Sequence, residues 1–328
     1  MSAERIALVV TGLTALTPSI REVVLAPIDG GSLPSYAPGS HLVLDVPVGD
    51  GRERALANAY SLTGETVEPT EYRISVLRCD PETGAAGGSA WVHSLAVGDK
   101  VEALPPRNLF APVRHATKHL LVGAGIGITP LLSHLRSHVR WNADVELLHV
   151  CREGEGAHVD EVVALTGGAA TVVHDRATFA ALLAERLRDQ PLGTHLYTCG
   201  PTGFMDLVHL EAAAAGWPAE RVHAEAFGAA DLDPGEPFTV AVAGEEIEVP
   251  SGVSLLEALE EAGHEVPNLC RQGVCGECRV PVAAGSTPVL HRDLYLTDED
   301  KAANDCLMAC VSRALPTDDR PAHLEVTL

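Results

Sequence analysis

Four cysteines set the hardest chemistry this sequence can do. Cys270-Arg-Gln-Gly-Val-Cys275-Gly-Glu-Cys278 is followed, after a long gap, by Cys310. Four intervening residues, then two, then a long interval is the spacing of a plant-type 2Fe-2S cluster, whose two irons share four thiolates. Gly273 and Gly276 let backbone amides of the loop turn toward the sulfurs with no Cβ in the way. Structural zinc is the competing reading. Zinc modules, however, pair their ligands as two short couples rather than crowding three cysteines into one short loop. On spacing alone Cys306 competes with Cys310 for the fourth position. Cys79 and Cys151 lack metal-type neighbours, and Cys79 reads as a small buried hydrophobe.

Two further constellations bear on nucleotides and aromatic cofactors. Leu120-Leu-Val-Gly-Ala-Gly-Ile-Gly-Ile-Thr-Pro130 puts Gly123, Gly125 and Gly127 at a strand-to-helix turn opened by Thr129 and Pro130. Such a turn brings amides and a helix N-terminus close to a diphosphate, although the spacing is not GxGxxG and a ligand-free Gly-rich turn is the alternative. Tyr197-Thr-Cys199-Gly200-Pro201, with Phe204 and Met205, stands at the end of a later strand, where parallel sheets place ligands. Cys199 is therefore a candidate to lie beside a reacting ring, and a plain buried thiol is the alternative. In Asn58-Ala59-Tyr60-Ser61-Leu62 an aromatic face and a hydroxyl alternate in side. Gly87-Gly88-Ser89 downstream offers amides and a hydroxyl to a phosphate, or an ordinary N-cap. A hydride donor delivers two electrons and an iron–sulfur cluster accepts one, so a flavin between them is the converter that makes the three constellations explain one another.

These residues need three supports. Through residue 111 short apolar or β-branched runs (23–25, 41–46, 72–77, 100–103) alternate with turns, predicting an antiparallel barrel or sandwich. From residue 118 the texture becomes strand, Gly-rich turn, helix (131–140), strand (145–150). Further strands at 170–173 and 195–198 and helices at 178–188 and 204–215 extend a parallel α/β domain. Residues 228–237 are rich in Gly, Pro and Asp and read as a linker. Beyond them a hairpin around Ala243-Gly244-Glu245, and a capping box Ser254-Leu-Leu-Glu257 opening a helix that ends at Gly263, predict a small α+β module. The boundaries are then 1–113 for the barrel, 114–229 for the α/β domain, 230–237 for the linker and 238–328 for the ferredoxin-like (β-grasp) cluster domain.

With these residues in place, the chain resembles the phthalate dioxygenase reductase and vanillate demethylase reductase family of the ferredoxin–NADP reductase superfamily. The resemblance spans nearly the whole length in matching domain order. It rests on Tyr60-Ser61, Gly87-Gly-Ser89, Pro106-Arg-Asn-Leu-Phe110, the 123–130 turn, 197–201, His223-Ala-Glu225-Ala-Phe227, the cysteine loop and Cys310-Val-Ser-Arg-Ala314. It implies FMN in the barrel, with FAD the alternative. Tyr60 would lie against the ring, Ser61 near its reactive nitrogen, Val76, Leu77 and Arg78 along it, and Gly88 and Ser89 at the phosphate. Cys199 would approach a nicotinamide, with Glu225 and Phe227 close to the flavin. Ser61, Cys199 and Glu225 are the catalytic candidates. The segment after Cys310 favours it over Cys306 as the fourth ligand. One departure stands out: the family places Arg two residues before Tyr-Ser, and this chain has Asn58. An amide holds a phosphate less firmly than a guanidinium, leaving Arg52, Arg54 or Arg78 to substitute.

The expected function is the reductase component of an oxygenase system, passing electrons from NADH through FMN and the cluster to a terminal Rieske oxygenase. A cytochrome P450 acceptor is the runner-up, and a flavin-less iron–sulfur relay is the reading from another class. Cys151-Arg152-Glu153 carries one cation and one anion, so NADH is preferred over NADPH by the resemblance alone. The net charge of −22 would repel nucleic acid. Residues 231–328 hold 19 acidic against 6 basic residues, which makes the C-terminal domain an acidic docking face or simply a solvated surface. No run approaches the roughly 18 to 20 apolar residues of a spanning helix. Residues 6–16 read as a first strand rather than a signal core. Eight cysteines at uneven spacing suit ligand use in a reducing compartment, hence a cytoplasmic protein, expected to be a monomer.

Overall fold

The alternation at the start of the chain resolves into six antiparallel strands: β1 (Ile6–Ala15), β2 (Ile20–Pro27), β3 (Ser40–Val46), β4 (Leu56–Ser61), β5 (Tyr72–Leu77) and β6 (Lys100–Asn108). Their order is β4-β3-β6-β1-β2-β5, and a bridge between Leu62 and Ile74 joins the two edges into a barrel. Side chains alternate across a strand, so Leu8 and Val10, Val23 and Leu25, Leu42 and Leu44 all point inward to one core. Helix α1 (Gly88–Ser94) adds Val92 to it. The computed structural model describes residues 5–46, 56–79, 88–227, 234–268, 271, 273–274, 276–317 and 319–328, in two units.

The first unit continues with β7 (Lys118–Ala124), α2 (Ile128–Arg140), β8 (Val145–Val150), α3 (Val159–Leu165), β9 (Thr171–Val173), α4 (Arg176–Arg188), β10 (Thr194–Cys199), α5 (Thr202–Ala214) and β11 (Val222–Glu225). The sheet is parallel throughout, in the order β11-β10-β7-β8-β9. Both faces are covered. Leu120, Val122, Leu148 and Leu196 meet Phe179, Leu183 and Val208 of α4 and α5, while Leu121, Leu147 and Tyr197 meet α2. Helix α2 can serve because Ile128, Leu131, Leu132 and Leu135 fall at i, i+3, i+4 and i+7, one apolar stripe. Each leucine so buried stabilises the fold by roughly 1.5–3 kcal/mol. Ile20 and Phe110 of the barrel region enter the same core, and the His134 imidazole donates to the Phe110 carbonyl at 2.7 Å.

That face of the sheet is unusual in its histidines. His119 and His138 stack with centroids 4.0 Å apart, and His134 packs on Tyr197 at 4.9 Å. Burial, first of all, lowers His134 and His138 to about 3, and it lowers His149 on β8 to about 4. Such groups stay neutral in the folded state while the unfolded chain protonates them below about pH 6.5. The stability they allow is therefore whole above that pH and is lost on acidification, by up to about 1.4 kcal/mol per histidine per pH unit, until the folded values are reached. All three tryptophans (Trp91, Trp141, Trp217) lie in this unit, so tryptophan-monitored denaturation reads it selectively. The loss of stability between pH 7.5 and 5.5 is expected to shrink by about 1 kcal/mol in His138→Leu. Parallel pH curves for the two proteins would contradict the assignment.

The second unit comprises β12 (Phe238–Val242), β13 (Glu245–Val249), α6 (Leu255–Glu261), β14 (Arg279–Pro281), β15 (Val289–Leu290), α7 (Asp298–Ala303), β16 (Cys306–Met308), β17 (Arg313–Ala314) and β18 (His323–Val326). Strand β12 pairs antiparallel with β13 and parallel with β18, the mixed sheet of a ferredoxin-like α+β fold. The hairpin turn is Ala243-Gly244, both at positive φ, and the Ser254–Glu257 capping box opens α6, which exits through Gly263 at φ 89°. Buried Arg313 donates to the carbonyls of Glu236, Pro250 and Val253. The segment after Cys310 thus anchors the start of the domain. Two expectations need correction. Cys79 is exposed rather than buried, because β5 ends at Leu77. Helix α7 was not anticipated: it buries no residue and stands on its Thr297–Asp300 capping box. Residues 230–233 of the linker expected at 230–237 lie outside the described residues. Among the described residues no helix is long and apolar enough to cross a membrane.

Candidate functional site

Three parallel strands deliver their last residues to one rim. Gly123 of β7 is in register with Cys199 of β10, and Cys199 with Glu225 of β11. The rim is tight. A Cβ on Gly127 would stand 2.2 Å from the Cys199 carbonyl oxygen, and one on Gly200 would stand 2.7 Å from the Phe204 ring and 3.0 Å from Ala124. Glycine at 127 is what lets the β7–α2 turn close onto the end of β10, a relation invisible in spacing alone. Gly125 takes φ 54° within that turn.

The barrel completes the rim. Ser61, the last residue of β4, is buried and hydrogen-bonds the Glu225 carboxyl, whose Oε2 is sealed from solvent with no partner among the described residues although Glu225 as a residue is partly exposed. Burial raises the Glu225 carboxyl to about 8, only partly offset by Ser61. Cys199 is fully buried. That burial, reinforced by Glu225, pushes its thiol well above the ordinary range. At neutral pH the lining is therefore a protonated carboxyl, a hydroxyl and a thiol, polar but without fixed charge.

On β4 Asn58 and Tyr60 share a side. The Asn58 amide fills the space over Gly88, where a Cβ would stand 1.6 Å from Nδ2 and 3.1 Å from the Tyr60 hydroxyl. Burial raises the Tyr60 phenol to about 12, only partly offset by the Asn58 side chain. Ala59 pairs with Val43 across the sheet. The exit of β5 is tied to α1: Ser89 Oγ accepts from the Cys79 amide at 3.1 Å, and the Val76 carbonyl accepts from His93 at 2.9 Å. Leu77 is half-buried and Arg78 exposed there. A sealed carboxyl oxygen with no hydrogen-bond partner among the described residues (Glu225 Oε2) and a cradle only glycine permits at 88 fit a flavin bound between β4, β5 and α1.

Other expected positions divide by role. The Thr129 hydroxyl donates to the Ile126 carbonyl at 3.0 Å and Pro130 is buried in α2, so both serve the turn. Phe204 packs on Phe179 at 5.1 Å and beneath Gly200, while Pro201 caps α5. Cys151, at the end of β8, is buried with its thiol raised by burial, and exposed Arg152 reaches Glu155 at 3.4 Å. Phe227 belongs to the second unit and is half-exposed. Gly87, Cys270 and Cys275, together with Arg52 and Arg54, lie outside the described residues. Motif reading missed His149, whose ring stands 3.0 Å from a Cβ position on Gly123, and His158, which lies 2.8 Å from the Ser75 hydroxyl.

In the second unit the Cys278 and Cys310 sulfurs are 3.2 Å apart, and the Gly273 amide donates to the Cys310 sulfur at 3.2 Å. Paired sulfurs with an amide donor fit iron–sulfur ligation. Cys306 is elsewhere engaged: it pairs across β14 with Pro281 and bonds the Arg279 side chain. Buried Asp293 accepts from the Leu296 and Tyr295 amides and the Ser312 hydroxyl, which fixes Leu294-Tyr295 beside the loop. The Tyr295 ring lies on Gly276, where a Cβ would meet it at 2.3 Å.

Comparison with known proteins places this architecture. A family model for the dimethylamine monooxygenase subunit DmmA-like N-terminal domain matches residues 99–222, and one for the 2Fe-2S iron–sulfur cluster binding domain matches 238–315. The chain is 42% identical to the heme-dependent oxidative N-demethylase beta subunit of Ectopseudomonas mendocina, over 93% of this chain and 94% of that protein. It is 35% identical to the carnitine monooxygenase reductase subunit of Escherichia coli, over 93% and 94%. Among solved structures it superposes on phthalate dioxygenase reductase, described as a modular structure for electron transfer from pyridine nucleotides to 2Fe-2S. The TM-score is 0.82 at 30% identity, covering 99% of this chain and 98% of that one.

Proposed function

The chain belongs to the phthalate dioxygenase reductase family of oxygenase reductases, and from that premise we propose that it carries electrons from NADH through FMN and a 2Fe-2S cluster to a terminal oxygenase. The observation that carries the reading is the pairing, on one chain, of the uncharged Ser61–Glu225–Cys199 rim with the Cys278–Cys310 sulfur pair. Bound there, the flavin supplies the step from a two-electron to a one-electron carrier, and the cluster supplies one-electron exit. The protein's part is binding, orientation and proton placement. Tyr60 and Val76–Arg78 would flank the ring. Gly88, Ser89 and Arg78 would hold its phosphate, Arg78 providing the positive charge that Asn58 lacks. Gly123, Gly125 and Gly127 would face the pyridine nucleotide's diphosphate. Ser61 and protonated Glu225 hold hydrogen-bonding protons at the rim, and the neutral Cys199 thiol adds no charge against which a hydride would have to move.

The terminal partner is read as a monooxygenase that oxidises an N-methylated amine, since the 42% relative and the match at 99–222 both carry names of that chemistry. The Rieske-type acceptor is the second reading, favoured by the full-length likeness to phthalate dioxygenase reductase. Docking falls to the acidic second unit. Exposed Leu294 and Tyr295 sit beside the cluster loop with exposed Glu277, Asp298 and Glu299 close in sequence. Thiolate ligands of this kind suit a reducing compartment, so the cytoplasm is the proposed location.

Cytochrome c, a basic one-electron acceptor, tests this directly with NADH as donor. Its reduction is expected to require both cofactors and to slow about tenfold between low and half-molar salt, as docking of opposite charges is screened. Ferricyanide, small and anionic, should show no such fall. Salt-independent cytochrome c reduction contradicts docking on the acidic unit, and no reduction at all contradicts the function.

A further inference from the structure

The loop between β8 and α3, residues 151–158, ends in a residue whose conformation has no local explanation. His158 occupies the N-cap position of α3 at φ 59°, ψ 14°, in the left-handed region, and its side chain does not cap the helix. N-caps are ordinarily extended and held by Ser, Thr, Asp or Asn, whose oxygen binds the free amides of the first turn. A histidine that forgoes both the conformation and the cap is strained, and strain of this kind persists where surrounding contacts enforce it.

The contacts are specific. The His158 side chain is 4% exposed. Its Nε2 lies 2.8 Å from the Ser75 hydroxyl on β5, and its Nδ1 lies 3.0 Å from Glu161 Oε2. The carboxylate can only accept, so Nδ1 donates to it, and Nε2 is left for the Ser75 hydroxyl. Glu161 is ion-paired in turn with Arg136 of α2. Burial alone would raise the Glu161 carboxyl, but the bonds to His158 and Arg136 more than offset it, so Glu161 stays charged and holds the His158 Nδ1 proton. Ser75 immediately precedes Val76–Arg78, and the loop that His158 closes begins with Cys151-Arg152 at the ligand-bearing end of the sheet. Within the loop Gly156 packs on the Cys151 sulfur, where a Cβ would stand at 2.6 Å, so displacement of His158 reaches the start of the loop through few atoms.

We propose that His158 is a positioning residue: through Ser75 it fixes the nucleotide-side loop 151–158 against the flavin-side strand β5. This rests on the reading that β5 lines the flavin and the loop meets the pyridine nucleotide. Geometry between donor and acceptor is what such a contact controls, and a misplacement of about an ångström can cost up to a hundredfold in rate.

The test is rapid-mixing reduction of the holoprotein by NADH without oxygen, followed at the flavin band across NADH concentrations. His158→Ala is expected to lower the limiting rate and raise the half-saturating NADH concentration, together about 10- to 100-fold, with flavin and iron contents unchanged. His158→Asn, which tolerates positive φ and can still bond, is expected to recover part of the loss. Ser75→Ala guards against a folding defect at 158. It should show the same change, smaller, and the double variant should be no worse than His158→Ala alone. Wild-type kinetics in His158→Ala, or additive losses in the double variant, overturn the proposal. A wild-type protein that NADH fails to reduce overturns the functional reading, and the role of His158 with it.

Discussion

Replacing Cys310 by alanine takes the iron content from about two per chain to near zero and ends NADH-driven cytochrome c reduction, while Cys306→Ala leaves both intact. The two cysteines are four residues apart and both buried, yet their surroundings differ. Cys310 lies 3.2 Å from the Cys278 sulfur and receives the Gly273 amide. Cys306 is held by Arg279 within the β14–β16 pair. NADH-dependent ferricyanide reduction, which on the proposed path needs only the first unit, should survive in Cys310→Ala, and its survival separates cluster loss from a folding defect. Cluster loss in Cys306→Ala with retention in Cys310→Ala would reverse the ligand assignment.

Glu225 carries the second large effect. Its carboxyl is protonated up to about pH 8, because burial raises it and the Ser61 hydrogen bond offsets that only in part. The uncharged form is the one that suits hydride delivery at the rim: ionisation places an anion where negative charge must arrive. Flavin reduction by NADH is therefore expected to be flat near neutrality and to fall as pH rises through about 8. Glu225→Gln copies the protonated shape and should keep the neutral-pH rate within a few-fold while abolishing the alkaline fall. Glu225→Ala should lose about a hundredfold at every pH, within the range seen for positioned proton-holding groups. An alkaline limb that persists in Glu225→Gln assigns the titration to another group. For stability the sign also follows: a raised carboxyl gives stability that is whole below about pH 4.5 and lost as pH climbs toward 8.

Much of this was legible in the sequence wherever the signal was local. The Ala243-Gly244 turn, the Ser254–Glu257 capping box, the α2 stripe and the cysteine spacing each sit within a dozen residues and follow from backbone and ligand chemistry alone. Register was not legible. Nothing in the glycine run says that position 127 is the one pressed onto Cys199, and Glu225 entered only through resemblance, because its alignment with Cys199 depends on the pairing of β10 with β11. His158 was hidden for the same reason, since its partner Ser75 lies 83 residues away. Helix α7 escaped because a helix that buries nothing has no apolar period to detect. Cys79 was misjudged by its hydrophobic habit, when the end of β5 at Leu77 decides its exposure.

A single electron path on one chain is read from the visible absorption spectrum of the purified protein during anaerobic NADH titration, with the flavin afterwards released and identified. Overlapping flavin and iron–sulfur bands that both bleach with NADH, and FMN in the extract, are the expected result. Iron–sulfur absorption without stoichiometric flavin, unmoved by NADH, would contradict it and leave the chain an iron–sulfur relay, with Asn58 the first residue to examine.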